Sequence, residues 1–467
     1  MHRYFVGPGC AAALAAAALA GCSANSALTA SPGLPTVQTA TRVTPPEQPM
    51  RRRRLTSKIQ HVVIVVQENR GFNNLFQGYK GATTISYGYD THGNKITLQP
   101  VGLETTWDIA HDSSDFFAAC NGTGSIPGTN CQMNGFDNEY WQCGKSGFPP
   151  CPNNNPPYSY VPHSETKPYF AMGHQYVLAD QMYASNFDAS SFISHQYIIS
   201  GQAESAVNYP YGWWGCPGGS GDMIAEVGPQ RQIPYKYEVV CWDPTTLGDE
   251  LDKAGVSWAF YSGQAPGGDG GIWSAYQAIR HIYNGPDWTK DVINPPSQFL
   301  TDIGNGQLRG VTWITPTCAN SDHAGCGSNT GPSWVTSVVN AIGQSKFWSS
   351  TAVFVMWDDY GGWYDNQPPA YADYDGLGFR LPMLVISPYA KKNHVSHVHY
   401  EHGSILKFVE DVFGLGRLAA SDARATSPAK DCFNFKQSPR TFTPFTAPYD
   451  REYFLHQPPD NRIPDWE

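Results

Sequence analysis

Two pairs of polar residues stand directly behind apolar runs in this chain, and their types suit metal-assisted chemistry. In "QHVVIVVQENRGF" the run from Val62 to Val66 leads into Gln67, Glu68, Asn69 and Arg70, and in "VFVMWDDYGGWYDNQPP" a second run leads into Asp358 and Asp359. Neighbouring carboxylates repel unless a cation lies between them, and a divalent ion is the usual solution. Glu68, Asn69, Asp358 and Asp359 together would offer three carboxylates and an amide oxygen. Such a hard, oxygen-rich set suits Mg, Ca or Mn, and added histidines would raise the affinity for Zn or Fe. Taken alone, each segment is equally a polar loop leaving a buried strand. A hydroxyl beside such a cation becomes a competent nucleophile. "SNFDASSFISHQYIISGQAES" holds Ser190, Ser191 and Ser194 in a small-residue turn, where a serine can also serve as a plain helix N-cap.

Strands must carry these groups. Besides 62–66, apolar runs at 256–261, 311–315, 351–356 and 383–387 read as strands, and amphipathic stretches at 168–184, 245–254, 334–345 and 403–414 read as helices. The alternation predicts an α/β fold with a mostly parallel central sheet flanked by helices, whose ligands gather at the carboxyl edge of the strands. Segments 112–165 and 208–235, dense in Gly, Pro, Asn and Cys, read as long loops pinned by disulfides.

The chain has 467 residues, 41% of them hydrophobic, enough to bury a large core, and its formal net charge of -10 argues against a general nucleic-acid binder. The N-terminus carries Arg3, an Ala/Leu region and then Leu19-Ala20-Gly21-Cys22, which resembles a bacterial lipobox. The expectation is an export signal over 1–22 with lipidation at Cys22, a simple secretory cleavage being the alternative. Residues 23–57, rich in Ser, Ala, Thr and Pro and carrying Arg51 to Arg54, read as a flexible tether. Residues 58–467 then form the catalytic domain, with an irregular tail from about 420. Of eleven cysteines, setting aside Cys10 and Cys22, nine remain. Proximity in sequence suggests the disulfides Cys120/Cys131, Cys143/Cys151, Cys216/Cys241 and Cys318/Cys326, with Cys432 left over.

Five blocks, in order over roughly 58–415, resemble the bacterial phosphoesterases that include phospholipases C and acid phosphatases, on an alkaline-phosphatase-like fold. They are "HVVIVVQENRGFNNLFQGY", "YFAMGHQYVLADQMYAS", "ASSFISHQYIISGQ", "WDDYGGWYDNQPP" and "GFRLPMLVISPYAKKNHVSHVHYEHGSILKFVEDVFGL". The resemblance implies that Glu68 and Asn69 form one metal-binding pair and Asp358 and Asp359 the other. Ser191 falls at the family's nucleophile, although both flanking prolines of the family turn are replaced, by Ser190 and Ile193, so Ser190 remains a contender. His111 in "WDIAHDSS" and His323 in "ANSDHAGC" resemble histidines lining the phosphate pocket, and His402 in "YEHGSIL" lies in a matching block. Asn366 stands where the family commonly has His.

The chemistry implied by the resemblance is a metal-dependent phosphoryl transfer from a phosphate ester through a phosphoserine. Ser191 attacks, and His111 or His323 protonates the leaving oxygen. Arg70 pairs either with a phosphate oxygen or, structurally, with Glu68. The chain stops about fifty residues after the last block, short of the C-terminal domains of larger phospholipases, which favours an acid-phosphatase-like phosphomonoesterase over a phospholipase C. A non-catalytic surface lipoprotein on the same fold is the third reading. The product is expected to be exported, anchored at the membrane through Cys22 or secreted.

Overall fold

The computed structural model describes residues 55–467 apart from 189, 212–213, 264–270, 464 and 466–467. The expected signal, the lipidation at Cys22 and the tether up to residue 54 lie outside the described residues. Leu55 is already tied down, its N–H donating to the Asp411 carbonyl at 2.7 Å.

A nine-stranded sheet is built from β1 (His61–Gln67), β2 (Val177–Tyr183), β3 (Trp258–Tyr261), β4 (Val292–Ile293), β5 (Val311–Ile314), β6 (Thr351–Trp357), β7 (Arg380–Ile386), β8 (His394–Ser396) and β9 (Tyr400–Glu401). Its order is β4-β3-β5-β1-β6-β7-β2-β8, with β9 also beside β2. Every pairing is parallel except the two that β7 makes, antiparallel to β6 and to β2. Runs such as "VVIVV" and "TAVFVMW" are buried on both faces because helices cover both sides of a parallel sheet. Those helices include α1 (Ser113–Cys120), α2 (His163–Gln175), α3 (Ser191–Ser200), α4 (Leu247–Ala254), α5 (Gly331–Gly343) and α6 (His402–Phe413). α4 shows why such segments stop and start where they do: Thr246 and Asp249 form a reciprocal capping box, and Gly255, at φ 69°, closes the other end in the left-handed conformation.

The mostly parallel sheet, the flanking helices and all four expected disulfides are present, and Cys432 is buried and unbridged. Three expectations need correction. The helix expected over 168–184 ends at Gln175, and Val177–Tyr183 is strand β2. "YVLADQMY" has apolar positions compatible with either period, and partners distant in the chain, on β7 and β8, decide for the strand. The loop expected over 208–235 holds most of a three-stranded antiparallel sheet, Ala206–Tyr211, Met223–Glu226 and Tyr237–Val239. The loop expected over 112–165 contains α1, whose first N–H groups are taken by the Asp112 carboxylate. Among the described residues no helix is long and apolar enough to cross a membrane.

Candidate active site

Register brings the first four residues together. Gln67 lies opposite Trp357 at the ends of the adjacent parallel strands β1 and β6, so the residues beyond them leave the sheet at one edge, side by side. The Asp358 N–H donates to the Gln67 carbonyl (3.1 Å) and the Asn69 N–H to Asp358 Oδ1 (2.9 Å). Asn69 turns through the left-handed region at φ 56°, a conformation that asparagine tolerates better than most side chains. Gly361 permits this turn: a Cβ there would lie 2.0 Å from the Asn69 carbonyl oxygen. Glu68, Asn69, Asp358 and Asp359 are all fully buried.

Ser191, the first residue of α3, joins them. Its Oγ accepts from Asn69 Nδ2 (3.0 Å) and lies 3.0 Å from Asp359 Oδ2 and 3.1 Å from Asp465 Oδ2. Ser190 occupies the N-cap position without capping the helix, and its hydroxyl turns elsewhere, to Asp188 Oδ2 (3.1 Å) and the Asn208 carbonyl (3.0 Å).

A histidine the sequence did not single out completes the acidic side. His195 lies four residues beyond Ser191 and so shares its face of α3. Its Nε2 lies 3.2 Å from Glu68 Oε2 and 3.8 Å from Asp358 Oδ2. One ligand atom from each of Glu68, His195 and Asp358 falls within 4.8 Å of the others. Glu68 Oε1, Asn69 Oδ1 and Asp358 Oδ2 are buried without a hydrogen-bond partner, a state that costs free energy unless a cation satisfies them. Burial, and then the Asp358 charge, drive the Glu68 carboxyl well above its ordinary range, and the same two causes raise Asp359. Burial lowers His195 to about 4, leaving a neutral ring with a lone pair to share. The donor set therefore fits a divalent ion. His402, at the start of α6, stands on this same side: burial lowers it to about 4 against the pull of Asp358, and its Nδ1 faces the Ser185 N–H at 3.5 Å.

His111 and His323 differ in their surroundings. His111 Nδ1 donates to the Ile109 carbonyl (2.7 Å), which leaves Nε2 as acceptor for the Asn69 amide at 2.7 Å. His323 Nδ1 is hydrogen-bonded to the Ala324 carbonyl, while its Nε2 lies 3.8 Å from Asp108 Oδ2 and 3.5 Å from Asp465 Oδ2. Burial pulls this imidazole down, but Asp108 and Asp465 outweigh it and raise His323 to about 9. The loop bearing it is closed by Cys318–Cys326 and clamped to the end of β1 by Gln67, whose side chain donates to the Asn320 carbonyl and accepts from the Asp322 N–H.

Arg70 and Asn366 have hydrogen-bond partners outside the acidic set. Arg70 Nε donates to the Asp322 carbonyl (2.7 Å) and its guanidinium lies 4.5 Å from the Trp363 ring, so it braces this loop. Asn366 accepts from Arg380, which forms a buried ion pair with Asp365 at 3.0 Å. Neither Asp108 nor Asp465 was legible as a site residue.

The model of the Phosphoesterase family matches residues 59–416. Phospholipase C B of Mycobacterium tuberculosis is 22% identical over 433 residues, covering 83% of this chain and 80% of that protein. The non-hemolytic phospholipase C of Burkholderia pseudomallei is 23% identical over 429 residues, covering 76% of this chain and 55% of that protein. Among solved structures, a protein in the alkaline phosphatase superfamily from Vibrio parahaemolyticus overlaps 80% of this chain and 71% of its own, at 10% identity and a TM-score of 0.38.

Proposed function

Given that the chain belongs to the Phosphoesterase family and is a hydrolase acting on phosphoester bonds, we propose an exported, metal-dependent enzyme working through a phosphoserine on Ser191. The observation that carries this reading is the setting of the Ser191 hydroxyl, fixed between the Asn69 amide and the Asp359 carboxylate and next to unpartnered buried oxygens. Glu68, Asn69, Asp358 and Asp359, with His195, would hold a divalent cation, whose charge would offset that of the phosphate oxygens and acidify the serine hydroxyl.

The chain's own groups supply the proton movements. Asp359 Oδ2, 3.0 Å from Ser191 Oγ, accepts the hydroxyl proton as the oxygen attacks phosphorus. The Asn69 amide, itself oriented by His111, holds that oxygen in line. His323 is protonated over a wide pH range and donates from Nε2 to the leaving oxygen. Water then attacks the phosphoserine, His323 takes one of its protons, and Ser191 recovers its own as phosphate departs.

Acid-phosphatase-like monoester hydrolysis is the substrate reading drawn from the sequence. Phospholipase C activity is the second, favoured by the names of the relatives. The chain spans 80% of the first of them, so length does not separate the two. Four disulfides support an oxidising destination, in keeping with export and, by the lipobox, anchoring at Cys22. The test compares phosphate release from a chromogenic monoester with headgroup release from phosphatidylcholine under one set of conditions, for wild type and Ser191→Ala. Turnover of either that Ser191→Ala abolishes supports the mechanism, and undiminished turnover in the variant refutes it.

A further inference from the structure

The segment running from Gln457 to Arg462 is fastened along the loop that carries His323. Asn320 Nδ2 donates to Gln457 Oε1 (2.8 Å), the Ala319 N–H to Asp460 Oδ2 (2.6 Å), and Arg462 Nη1 to the Cys326 carbonyl (2.7 Å). Arg462 also pairs with Asp460 at 2.9 Å. Asp465 lies at the site, and its side chain is fully buried there.

Its carboxylate lies 3.1 Å from Ser191 Oγ and 3.5 Å from His323 Nε2. For Ser191 to attack and His323 to protonate, a reacting phosphoryl group must lie between those two atoms, facing the nucleophile on one side and the proton donor on the other. A carboxylate shares the relevant chemistry of a phosphoryl group, an anionic centre with oxygens that accept from both partners. We propose that Gln457, Asp460 and Arg462 fasten a built-in strap whose Asp465 carboxylate occupies the phosphoryl subsite and is displaced by a phosphate ester or by free phosphate. The proposal rests on the phosphoesterase reading for the position of the phosphoryl group.

The strap competes with substrate by simple population: apparent affinity equals intrinsic affinity reduced by the fraction of molecules with the subsite vacated. The fastenings at 319–326 hold the chain beside these contacts with Ser191 and His323.

The experiment uses the full chain and measures KM for a chromogenic monoester and the inhibition constant of inorganic phosphate. Mildly acidic pH keeps His323 protonated throughout. Asp465→Ala is expected to lower both constants by about tenfold, as when a competent state populated about one part in ten becomes fully populated. Arg462→Ala, which loosens the strap at an exposed position outside the site, is expected to lower them in the same direction by less. Unmoved constants in an active enzyme overturn the strap alone. A fall in kcat or in bound metal on Asp465→Ala also overturns it, because Asp465 then belongs to the catalytic machinery. A wild type that hydrolyses neither monoester nor phosphatidylcholine overturns the phosphoesterase mechanism, and the strap with it.

Discussion

Asp108→Asn tests the charge on His323 directly. The exchange preserves shape and the oxygen that accepts the Ile109 N–H at 2.8 Å, while removing the carboxylate 3.8 Å from His323 Nε2. The wild-type imidazole stands at about 9. If the whole rise were lost, it would return to about 6.5, and at a pH of about 8 the protonated fraction would fall from about nine-tenths to about one-thirtieth. Asp465 remains as a second support, so kcat/KM for a monoester at that pH should drop between about threefold and thirtyfold, with no drop at a pH of about 5.5. The assay is the pH profile of kcat/KM, whose basic limb should move to lower pH. Stability changes with a definite sign. Because the folded-state pKa is raised, the stabilisation is fully present below about pH 6.5 and is lost as pH rises through about 9. The variant should therefore unfold more readily than wild type in mild acid, and the difference should vanish in base. A basic limb that does not move, or an equal loss of rate at every pH, would refute the assignment of His323 as a charged proton donor supported by Asp108.

Ser191→Ala should reduce kcat by about ten-thousandfold or more. Ser190→Ala should keep kcat and lose about 1–2 kcal/mol of stability with its bonds to Asp188 and Asn208, and a reversal of the two results would move the nucleophile by one residue. Chelation should abolish turnover and restored divalent ion should recover it, and His195→Ala should weaken metal binding by about ten- to a hundredfold, read by titration against a competing chelator. Gly361→Ala should cost about 1–3 kcal/mol and depress activity together, measured by thermal unfolding and rate, because its Cβ would press on the Asn69 carbonyl.

The parts of the site that were legible lie next to strong periodic signals. Glu68, Asn69, Asp358 and Asp359 come directly after apolar strands, and parallel neighbours in register must deliver their ends to one place. The sequence left both Ser190 and Ser191 open, and their hydroxyls point in different directions, Ser190 toward Asp188 and Ser191 toward Asp359. His195 had a signal, the four-residue spacing from Ser191 on a helix, but helical spacing says nothing about which face meets Glu68. Arg70 adjoins Glu68 in sequence yet works on the Asp322 loop, because packing against Trp363 fixes its direction. Asp465 stands 274 residues from Ser191, and no local pattern connects them. Strand β2 was lost to a helix for a related reason, since its identity depends on partners distant in the chain.

The four disulfides span only 8, 8, 11 and 25 residues, and none joins strands of the main sheet. Each therefore constrains a short local stretch of the unfolded chain. The strands of the main sheet pair without a covalent cross-link among them, while the loop presenting His323 is closed by a bond that persists only where thiols oxidise. In a reducing environment that loop would keep its clamp to Gln67 and lose its covalent closure.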